Sequence, residues 1–217
     1  MVVLRPGEGH PVLLVKRSDT MRFMPGHHVF PGGRVDKADG DLPLSGAPTT
    51  EEERFIVAAV RECFEEAGVL LTEGPEPEAE ALDEARRALL TGERDFLSIL
   101  TAFGHHIDGS RFRPIGLWVT PPLSPIRFFT RFYLYQAEGL MDATALPEEG
   151  EIVEVDWVTP ARARQEWHHN TRHLSAPVAY VLHHLATMAL EDAVPWLNAV
   201  PADEDGVATC FEFRRGI

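Results

Sequence analysis

The chain has 217 residues, of which 44% are hydrophobic and 25% charged, as in ordinary soluble globular proteins. That length favours one domain over residues 1–217, with a core that needs neither disulfides nor a structural metal. The formal net charge of −14 argues against a general binder of nucleic acid or anionic membranes, because such a protein carries a basic stripe. It is compatible with a phosphorylated small molecule if a divalent cation separates protein carboxylates from phosphate.

Cysteine content and hydropathy bear on the compartment. The two cysteines, Cys63 and Cys210, lie far apart in the chain, which favours a reducing environment. No apolar run reaches the length of a membrane span, and Arg5 and Glu8 interrupt the N-terminal stretch. The sequence therefore predicts a cytoplasmic protein with no nucleic-acid partner and no membrane partner.

In chain order, short extended pieces and loops come before one long helix. Residues 10–17 predict a strand, residues 18–28 a loop, and residues 29–35 an extended piece that two glycines interrupt. Residues 36–49 are polar and predict a further loop. A helix is then predicted over residues 50–67, because its apolar residues recur at helical spacing.

The ends of that helix carry recognisable signals. Thr50 and Glu53 form a capping-box pattern at its start. Gly68 follows its last residue and is the residue type that tolerates a left-handed cap.

The rest of the chain mixes helices and strands. The predicted elements are a mainly helical stretch over residues 76–103, strands at 115–120, 128–137 and 152–158, and helices at 161–167 and 177–190. This order predicts an α/β fold whose central sheet is covered on both faces. Residues 200–217 are weakly patterned, and no element is predicted there.

Candidate chemistry is concentrated at the end of the long helix. Glu62, Glu65 and Glu66 are three and four residues apart, so a helix places them within mutual reach. Carboxylates packed together repel one another unless a cation lies among them, and Mg²⁺ or Mn²⁺ prefers such oxygen ligands. Arg61 is one turn before Glu65 and can hold part of the cluster by charge-assisted hydrogen bonds. Gly33 permits close backbone approach, which offers a carbonyl to the same metal.

An acidic run on a helix is most often a solvated face. Here the helix ends directly after the acidic pair, a Phe-Pro-Gly-Gly turn lies upstream, and a strand precedes that turn. This context favours the functional interpretation.

The segment resembles the Nudix box, G-x5-E-x7-R-E-U-x-E-E-x-G-U, where U is a bulky apolar residue. The matching residues are Gly33, Arg61, Glu62, Glu65, Glu66, Gly68 and Val69. Between Gly33 and Arg61, however, this chain is about twice as long as the pattern, which implies an insertion at residues 40–52. Counting forward from Gly33 places Asp39 at the first acidic position, whereas counting back from Arg61 places Glu53 there. Helix capping is the other interpretation of Glu53.

A second resemblance is to Nudix enzymes that act on coenzyme A. It rests on Leu13, Leu14, Arg17, Ser18, Met21, Arg22, Gly26, Val29, residues 30–33, Asp36 and Asp39. Met21 replaces a usual leucine and Met24 a usual histidine. Further residues are similar to the subgroup that contains the peroxisomal acyl-CoA diphosphatases, namely Trp118, residues 120–122, Arg127, Phe128, residues 130–132, Glu151, Glu154 and Trp157. The C-terminal residues 214–217 lack the peroxisomal Ser-Lys-Leu ending.

These resemblances imply a Nudix fold, an α/β/α sandwich with a mixed central sheet and a helical insertion at about residues 73–104. They imply that Glu62 and Glu66 bind Mg²⁺ or Mn²⁺, with Glu65 beside them. Water then attacks the diphosphate, and Glu66 is one candidate general base; Glu151 or Glu154 is the other. The phosphate contacts implied are Arg17, Arg22, Arg127 and the backbone at Gly32, although each arginine is equally compatible with a surface role.

The favoured substrate is coenzyme A or an acyl-CoA, giving 3′,5′-ADP and phosphopantetheine. ADP-ribose, a nucleotide sugar or another nucleoside diphosphate derivative is the alternative. A catalytically silent nucleotide-binding module is a further alternative, which the complete acidic set disfavours. His169 and His173 have ligand-like spacing but no matching partner for a zinc site. Nudix relatives are often dimers, so a homodimer is possible.

Overall fold

The computed structural model describes residues 1–40, 42, 44–46, 49–120, 128–139, 141–146 and 150–199. Arg127, Cys210 and parts of the predicted insertion at residues 40–52 lie outside the described residues. The strands are β1 (Val2–Leu4), β2 (Val12–Arg17), β3 (His28–Val29), β4 (Leu44–Ser45), β5 (Ile107–Asp108), β6 (Phe112–Val119), β7 (Phe129–Gln136) and β8 (Ile152–Val158). The helices are α1 (Thr50–Ala67), α2 (Ala79–Leu90), α3 (Phe96–Phe103), α4 (Pro160–His168), α5 (Ala176–Thr187) and α6 (Leu190–Ala199).

Six of the described strands form one mixed sheet, in the order β3-β2-β1-β7-β6, with β8 on the other edge of β2. β8 pairs with β2 along its whole length, from Val12 to Arg17. β1 meets β2 only at Val12, and β3 meets it only at Val15 and Lys16. Since one edge of β2 belongs to β8, β1 and β3 occupy opposite ends of its other edge. β1 runs parallel to β7, and the remaining pairs of the sheet are antiparallel.

Alternating side chains of the strands supply two separate cores. In β2, Leu13 and Val15 face the core that α1, α2 and α3 complete. Val12 and Leu14 face the opposite core, which α4, α5 and α6 complete. This alternation is the period-2 pattern of a strand that is buried on both faces. The predicted α/β sandwich with a mixed sheet and helices on both faces is confirmed.

Local patterns missed the elements that depend on distant partners. β1 has only three residues, and its parallel partner β7 is far away in the sequence. α6 was not predicted, and the helix predicted over residues 177–190 ends at Thr187, because Met188 is extended with φ −122° and ψ 156°. Of the extended piece predicted over residues 29–35, only Val29 is regular strand, as the last residue of β3.

Residues 73–104 hold α2 and α3, which pack on the same face of the sheet as α1. Ala85, Phe96, Ile99 and Leu100 are buried in the core that α1 shares. No described helix is long and apolar enough to cross a membrane.

Candidate active site

The helix α1 carries the predicted acidic cluster, and its boundaries follow from its caps. The side chain of Thr49 accepts a hydrogen bond from the Glu52 N–H at 3.2 Å. The capping pair is therefore one residue earlier than the predicted Thr50 and Glu53, because Thr49 is the residue with extended backbone. At the other end Gly68 adopts the left-handed conformation, with φ 71°, as predicted.

Arg61 is the centre of the cluster and is buried, with 7% of its surface exposed. Its Nε and Nη2 donate to the two carboxylate oxygens of Asp39, at 2.9 and 3.1 Å. Its Nη1 donates to Glu62 Oε1 and to Glu65 Oε1, each at 3.1 Å. Nη2 also donates to the Arg34 carbonyl at 2.9 Å. One guanidinium thus fixes two helical carboxylates to the loop that precedes the helix.

Of the two candidates for the first acidic position, Asp39 and not Glu53 binds Arg61 in the described structure. Asp39 is only 2% exposed and lies in a single 3-10 turn, Lys37–Gly40. Its Oδ2 also accepts the Asp36 N–H at 2.7 Å. Glu53 lies on α1 about two turns before Arg61, roughly 12 Å away along the helix axis. Counting forward from Gly33 therefore gives the acidic residue that meets Arg61.

The two glycines upstream bring the backbone against the carboxylates. The Gly32 N–H donates to Glu66 Oε2 at 2.9 Å, which orients a side chain that is itself 8% exposed. A Cβ atom at Gly33 would overlap the carboxylate of Glu62. Any residue larger than glycine at Gly33 would thus displace an acidic side chain of the cluster.

The cluster contains more negative charge than its arginine balances. Burial raises the pKa of Glu66 to about 8 and that of Glu62 to about 7, and it also raises the pKa of Glu65. Arg61 opposes this shift for Glu62 and Glu65, while the neighbouring carboxylates reinforce it for Glu62. Buried carboxylates with raised pKa values favour a bound cation, which would stabilise their charged forms.

The carboxylates of α1 are suited to Mg²⁺ or Mn²⁺, which water and substrate phosphate help to bind, more than to a metal that side chains alone must hold. Among the described residues, no three histidine, cysteine or acidic side chains form a ready-made metal site. Mg²⁺ usually binds one or two carboxylates together with water and substrate phosphate, so it needs no such cage. The same finding leaves the histidine pair His169 and His173 without support as a zinc site within the described part of the chain.

Arg17 lies on the same face of the sheet as the cluster. After a register shift beyond Lys16, Arg17 pairs with Ile152, whose side chain is in the core under α1. Its positive charge lowers the pKa of Glu66 from the value that burial alone would give. Its Nε donates to the Phe23 carbonyl at 3.0 Å. Arg22, the next predicted phosphate contact, is exposed.

The two candidate bases outside the box are in different places. Glu154 pairs with Lys16 and thus projects from the opposite face of the sheet, where its carboxylate is 3.8 Å from Lys16 Nζ and 4.0 Å from His28 Nε2. Glu151 is exposed just before β8, and its carbonyl accepts the Ser18 N–H at 2.8 Å. The structure therefore does not bring Glu154 together with the carboxylates of α1.

Comparisons with known proteins agree with this geometry. Residues 41–185 match the NUDT19 Nudix domain family, which is well over half of the chain. This chain belongs to the NUDT19 family of Nudix hydrolases. It is 33% identical to nudix hydrolase 7 of Caenorhabditis elegans, over 81% of this chain and 55% of that protein's length. It is 27% identical to the human acyl-coenzyme A diphosphatase NUDT19, over 93% of this chain and 71% of that protein.

A solved structure supports the same fold. The crystal structure of a NUDIX hydrolase from Alicyclobacillus acidocaldarius is 29% identical to this chain, with a TM-score of 0.78. The match covers 92% of this chain and 95% of that one. Nudix hydrolases typically depend on a divalent metal, which agrees with the excess of carboxylates around Arg61.

Two features of this Nudix hydrolase lie near the cluster but were not predicted. Phe23 and Phe128 meet edge to face with ring centroids 5.1 Å apart, and the guanidinium of Arg34 lies 6.0 Å from the Phe128 centroid. Arg86 of α2 is 1% exposed and donates to the Glu65 carbonyl. Neither could be read from the sequence, because α2 resembles any charged amphipathic helix and Phe23 is far from Phe128 in the chain.

Two described cavities lie away from the cluster. One, of about 230 Å³, is lined by Leu4, His10, Pro160, Leu185, Met188, Ala189, Leu190 and Glu191. The other is about 30 Å³ and lies between β6 and α5. Both are on the face of the sheet that α4, α5 and α6 cover, so neither contains the carboxylates of α1.

Proposed function

We propose that this Nudix hydrolase cleaves the diphosphate linkage of coenzyme A or an acyl-CoA, giving 3′,5′-ADP and phosphopantetheine or its acylated form. The observation that carries the hydrolase chemistry is the acidic group of buried Glu66 and half-buried Glu62 and Glu65, of which the last two bind Arg61. The negative charge of this group exceeds the positive charge of Arg61. The choice of coenzyme A is supported by the signature over residues 13–39 and by the name of the human relative.

In this proposal Glu62 and Glu66 hold Mg²⁺ or Mn²⁺, with the Gly33 carbonyl and Glu65 beside them. The bound cation would neutralise charge on the diphosphate oxygens and lower the pKa of a water molecule. Arg61 keeps Glu62 and Glu65 in position through its two Nη1 hydrogen bonds. The Gly32 N–H holds one oxygen of Glu66 and leaves the other available.

Glu66 is the proton acceptor that the geometry supports best. Burial raises its pKa to about 8, and a nearby cation would lower this pKa. A general base is most effective when its pKa is close to the pH at which the enzyme works. Glu154 is disfavoured because it projects from the other face of the sheet. Glu151 remains the second candidate, since it is exposed and precedes β8 beside the loop that follows Arg17.

Two groups are suited to the substrate itself. Arg17 shares the face of the cluster, and its guanidinium matches phosphate oxygens in shape and charge. The pair Phe23 and Phe128, with Arg34 over the second ring, offers aromatic surface to a base and a cation to a further phosphate. The backbone carbonyl of Arg34 accepts a hydrogen bond from Arg61, the arginine that also binds Glu62 and Glu65, which supports a role for this group in substrate binding.

The proposal is tested by incubating the pure protein with Mg²⁺ or Mn²⁺ and a mixture of candidate substrates. The mixture contains coenzyme A, acetyl-CoA, ADP-ribose, NADH, a dinucleoside polyphosphate and nucleoside triphosphates, and the products are identified by mass spectrometry. Formation of 3′,5′-ADP that stops when a chelator is added is the expected result. Cleavage of another member alone would keep the Nudix chemistry and reject coenzyme A. Metal binding without cleavage of any member would favour a substrate outside the mixture or the nucleotide-binding module.

Three further predictions concern the whole protein. A single domain over residues 1–217 predicts one cooperative unfolding transition in calorimetry. A cytoplasmic location is tested by cell fractionation, and a homodimer by light scattering at several protein concentrations.

A further inference from the structure

The C-terminal end of α1 is held by more than its own glycine cap. The last four carbonyls of a helix, here those of residues 64–67, have no partner within the helix. The Gly68 N–H donates to the Phe64 carbonyl at 2.9 Å, and the Thr144 N–H donates to the Ala67 carbonyl at 2.9 Å. The Glu65 carbonyl is bound by a side chain from α2, a helix of the segment at residues 73–104.

That side chain is Arg86, which is 1% exposed. Its Nε and Nη2 both donate to the Glu65 carbonyl, at 3.0 and 2.9 Å. Its Nη1 donates to the carbonyl of Thr144 at 2.9 Å. One guanidinium therefore joins α2, the last turn of α1 and the segment at residues 141–146.

The position of Gly68 reinforces this arrangement. A Cβ atom at Gly68 would lie 3.1 Å from Arg86 Nη1 and 3.4 Å from Thr144 Oγ1. The left-handed backbone at residue 68 favours glycine, and a larger residue there would also crowd Arg86. The positive charge of Arg86 at this end of the helix also interacts favourably with the negative end of the helix dipole.

We propose that Arg86 is a positioning residue for the diphosphatase reaction, because it fixes the turn of α1 from which Glu65 and Glu66 project. The inference rests on the proposed function. Arg86 binds the backbone of Glu65, whose side chain is held separately by Arg61. Arg86 of α2 thus holds the main chain of Glu65, and Arg61 of α1 holds its carboxylate. On this basis the segment at residues 73–104 contributes to the active site through buried Arg86.

The first test is Arg86→Met, which keeps much of the side-chain volume and removes every hydrogen bond. Residues that orient metal ligands typically contribute about 10–100-fold to metal affinity or activity, and we expect a loss of kcat in that range. KM should change by less than about twofold, because Arg86 does not contact substrate. Mn²⁺ binding, measured by electron paramagnetic resonance without substrate, should weaken by about tenfold.

Leu182→Ala is the matched control, since Leu182 is fully buried in the core on the other face of the sheet. It should lower the melting temperature while leaving kcat and Mn²⁺ affinity within about twofold of the unaltered enzyme. If Arg86→Met behaves like this control, with stability lost and kcat and Mn²⁺ affinity retained, the proposal is overturned.

Arg86→Lys keeps the inference testable if Arg86→Met does not fold. Lysine retains the charge but has one ammonium group, which cannot reach the Glu65 and Thr144 carbonyls with the same fork geometry. We expect reduced kcat and weaker Mn²⁺ binding, by at least about threefold each, and unchanged values would contradict the proposal. The choice of coenzyme A as substrate can be wrong without affecting this inference. If the enzyme binds Mn²⁺ but does not cleave coenzyme A, its Mn²⁺ affinity still tests the role of Arg86. If the unaltered chain does not bind Mn²⁺, both the proposed metal-dependent function and the positioning role of Arg86 are overturned.

Discussion

Two buried arginines organise charged networks on opposite faces of the sheet, and each is 7% exposed. Arg61 lies on the face of α1 and binds Asp39, Glu62 and Glu65. Arg172 lies on the face of α4, where its Nη2 is 2.6 Å from Asp156 Oδ2 and its Nε is 2.7 Å from Glu166 Oε2. Equal burial therefore does not distinguish the two networks.

The direction of the pKa shift of their glutamates does distinguish them. Burial tends to raise the pKa of Glu166, but hydrogen bonds from Arg172 and Arg162 lower it overall. Burial raises the pKa values of Glu62, Glu65 and Glu66, and Arg61 does not reverse the shift for the first two. The charged form of Glu166 is thus stabilised, as in a structural ion pair, whereas the raised pKa values of Glu62, Glu65 and Glu66 favour a bound cation.

The largest expected effect is that of Glu66→Gln. The substitution keeps the shape of the side chain and the bond from the Gly32 N–H but removes the charge. We expect kcat to fall by on the order of 10³-fold, in the range associated with loss of a general base, with an unchanged far-UV spectrum. The rate is measured by release of 3′,5′-ADP. A variant with near-normal turnover would remove Glu66 from the mechanism.

Arg61→Lys should affect both activity and stability. Lysine cannot bind Asp39 through two nitrogens and reach Glu62 and Glu65 at the same time. We expect kcat to fall by about 10²-fold and the free energy of unfolding by about 3 kcal/mol, as when a buried ion pair is broken. Kinetics and urea unfolding measure the two effects. Retention of both would show that the Arg61 network does not organise the site.

Arg172→Met separates stability from activity. Removing Arg172 leaves Asp156 and Glu166 without their shared partner, although both acids are partly exposed and Glu166 keeps its bond to Arg162. The free energy of unfolding should therefore fall by about 2–3 kcal/mol. At a temperature where the variant is folded, kcat should stay within about twofold, because the network is on the other face of the sheet. A kcat loss comparable to that of Arg61→Lys would contradict the distinction drawn between the two networks.

The smallest effect concerns the pH dependence of stability. Burial, reinforced by Arg172, lowers the pKa of His28 to about 4. The unfolded chain takes up this proton below about pH 6.5, so the stability due to neutral His28 is complete above that pH and is lost as the pH falls to about 4.

Between about pH 6.5 and 4, the free energy of unfolding of the unaltered chain should therefore fall more than that of His28→Gln. The difference, measured by urea unfolding, should be less than about 3 kcal/mol over this range. His184, whose pKa burial also lowers to about 4, leaves part of the slope in place. Parallel curves for the variant and the unaltered chain would contradict the assignment to His28.

Strongly periodic elements were predicted well, because their signals are local. α1 has the predicted bounds Thr50–Ala67 and β8 the predicted bounds Ile152–Val158. Caps and apolar spacing within each segment were sufficient for this result. β1 could not be predicted in the same way, since three residues carry no period and its stability comes from distant β7.

The sequence by itself determined the acidic cluster, its glycine turn and the family, because residue spacing on one helix fixes which side chains share a face. Only the tertiary structure showed that Asp39 and not Glu53 binds Arg61, separated Glu154 from the cluster and brought Arg86 to the Glu65 carbonyl. These outcomes depend on loop closure, strand register and burial. Each of these joins residues distant in the chain, and local patterns carry no information on such contacts.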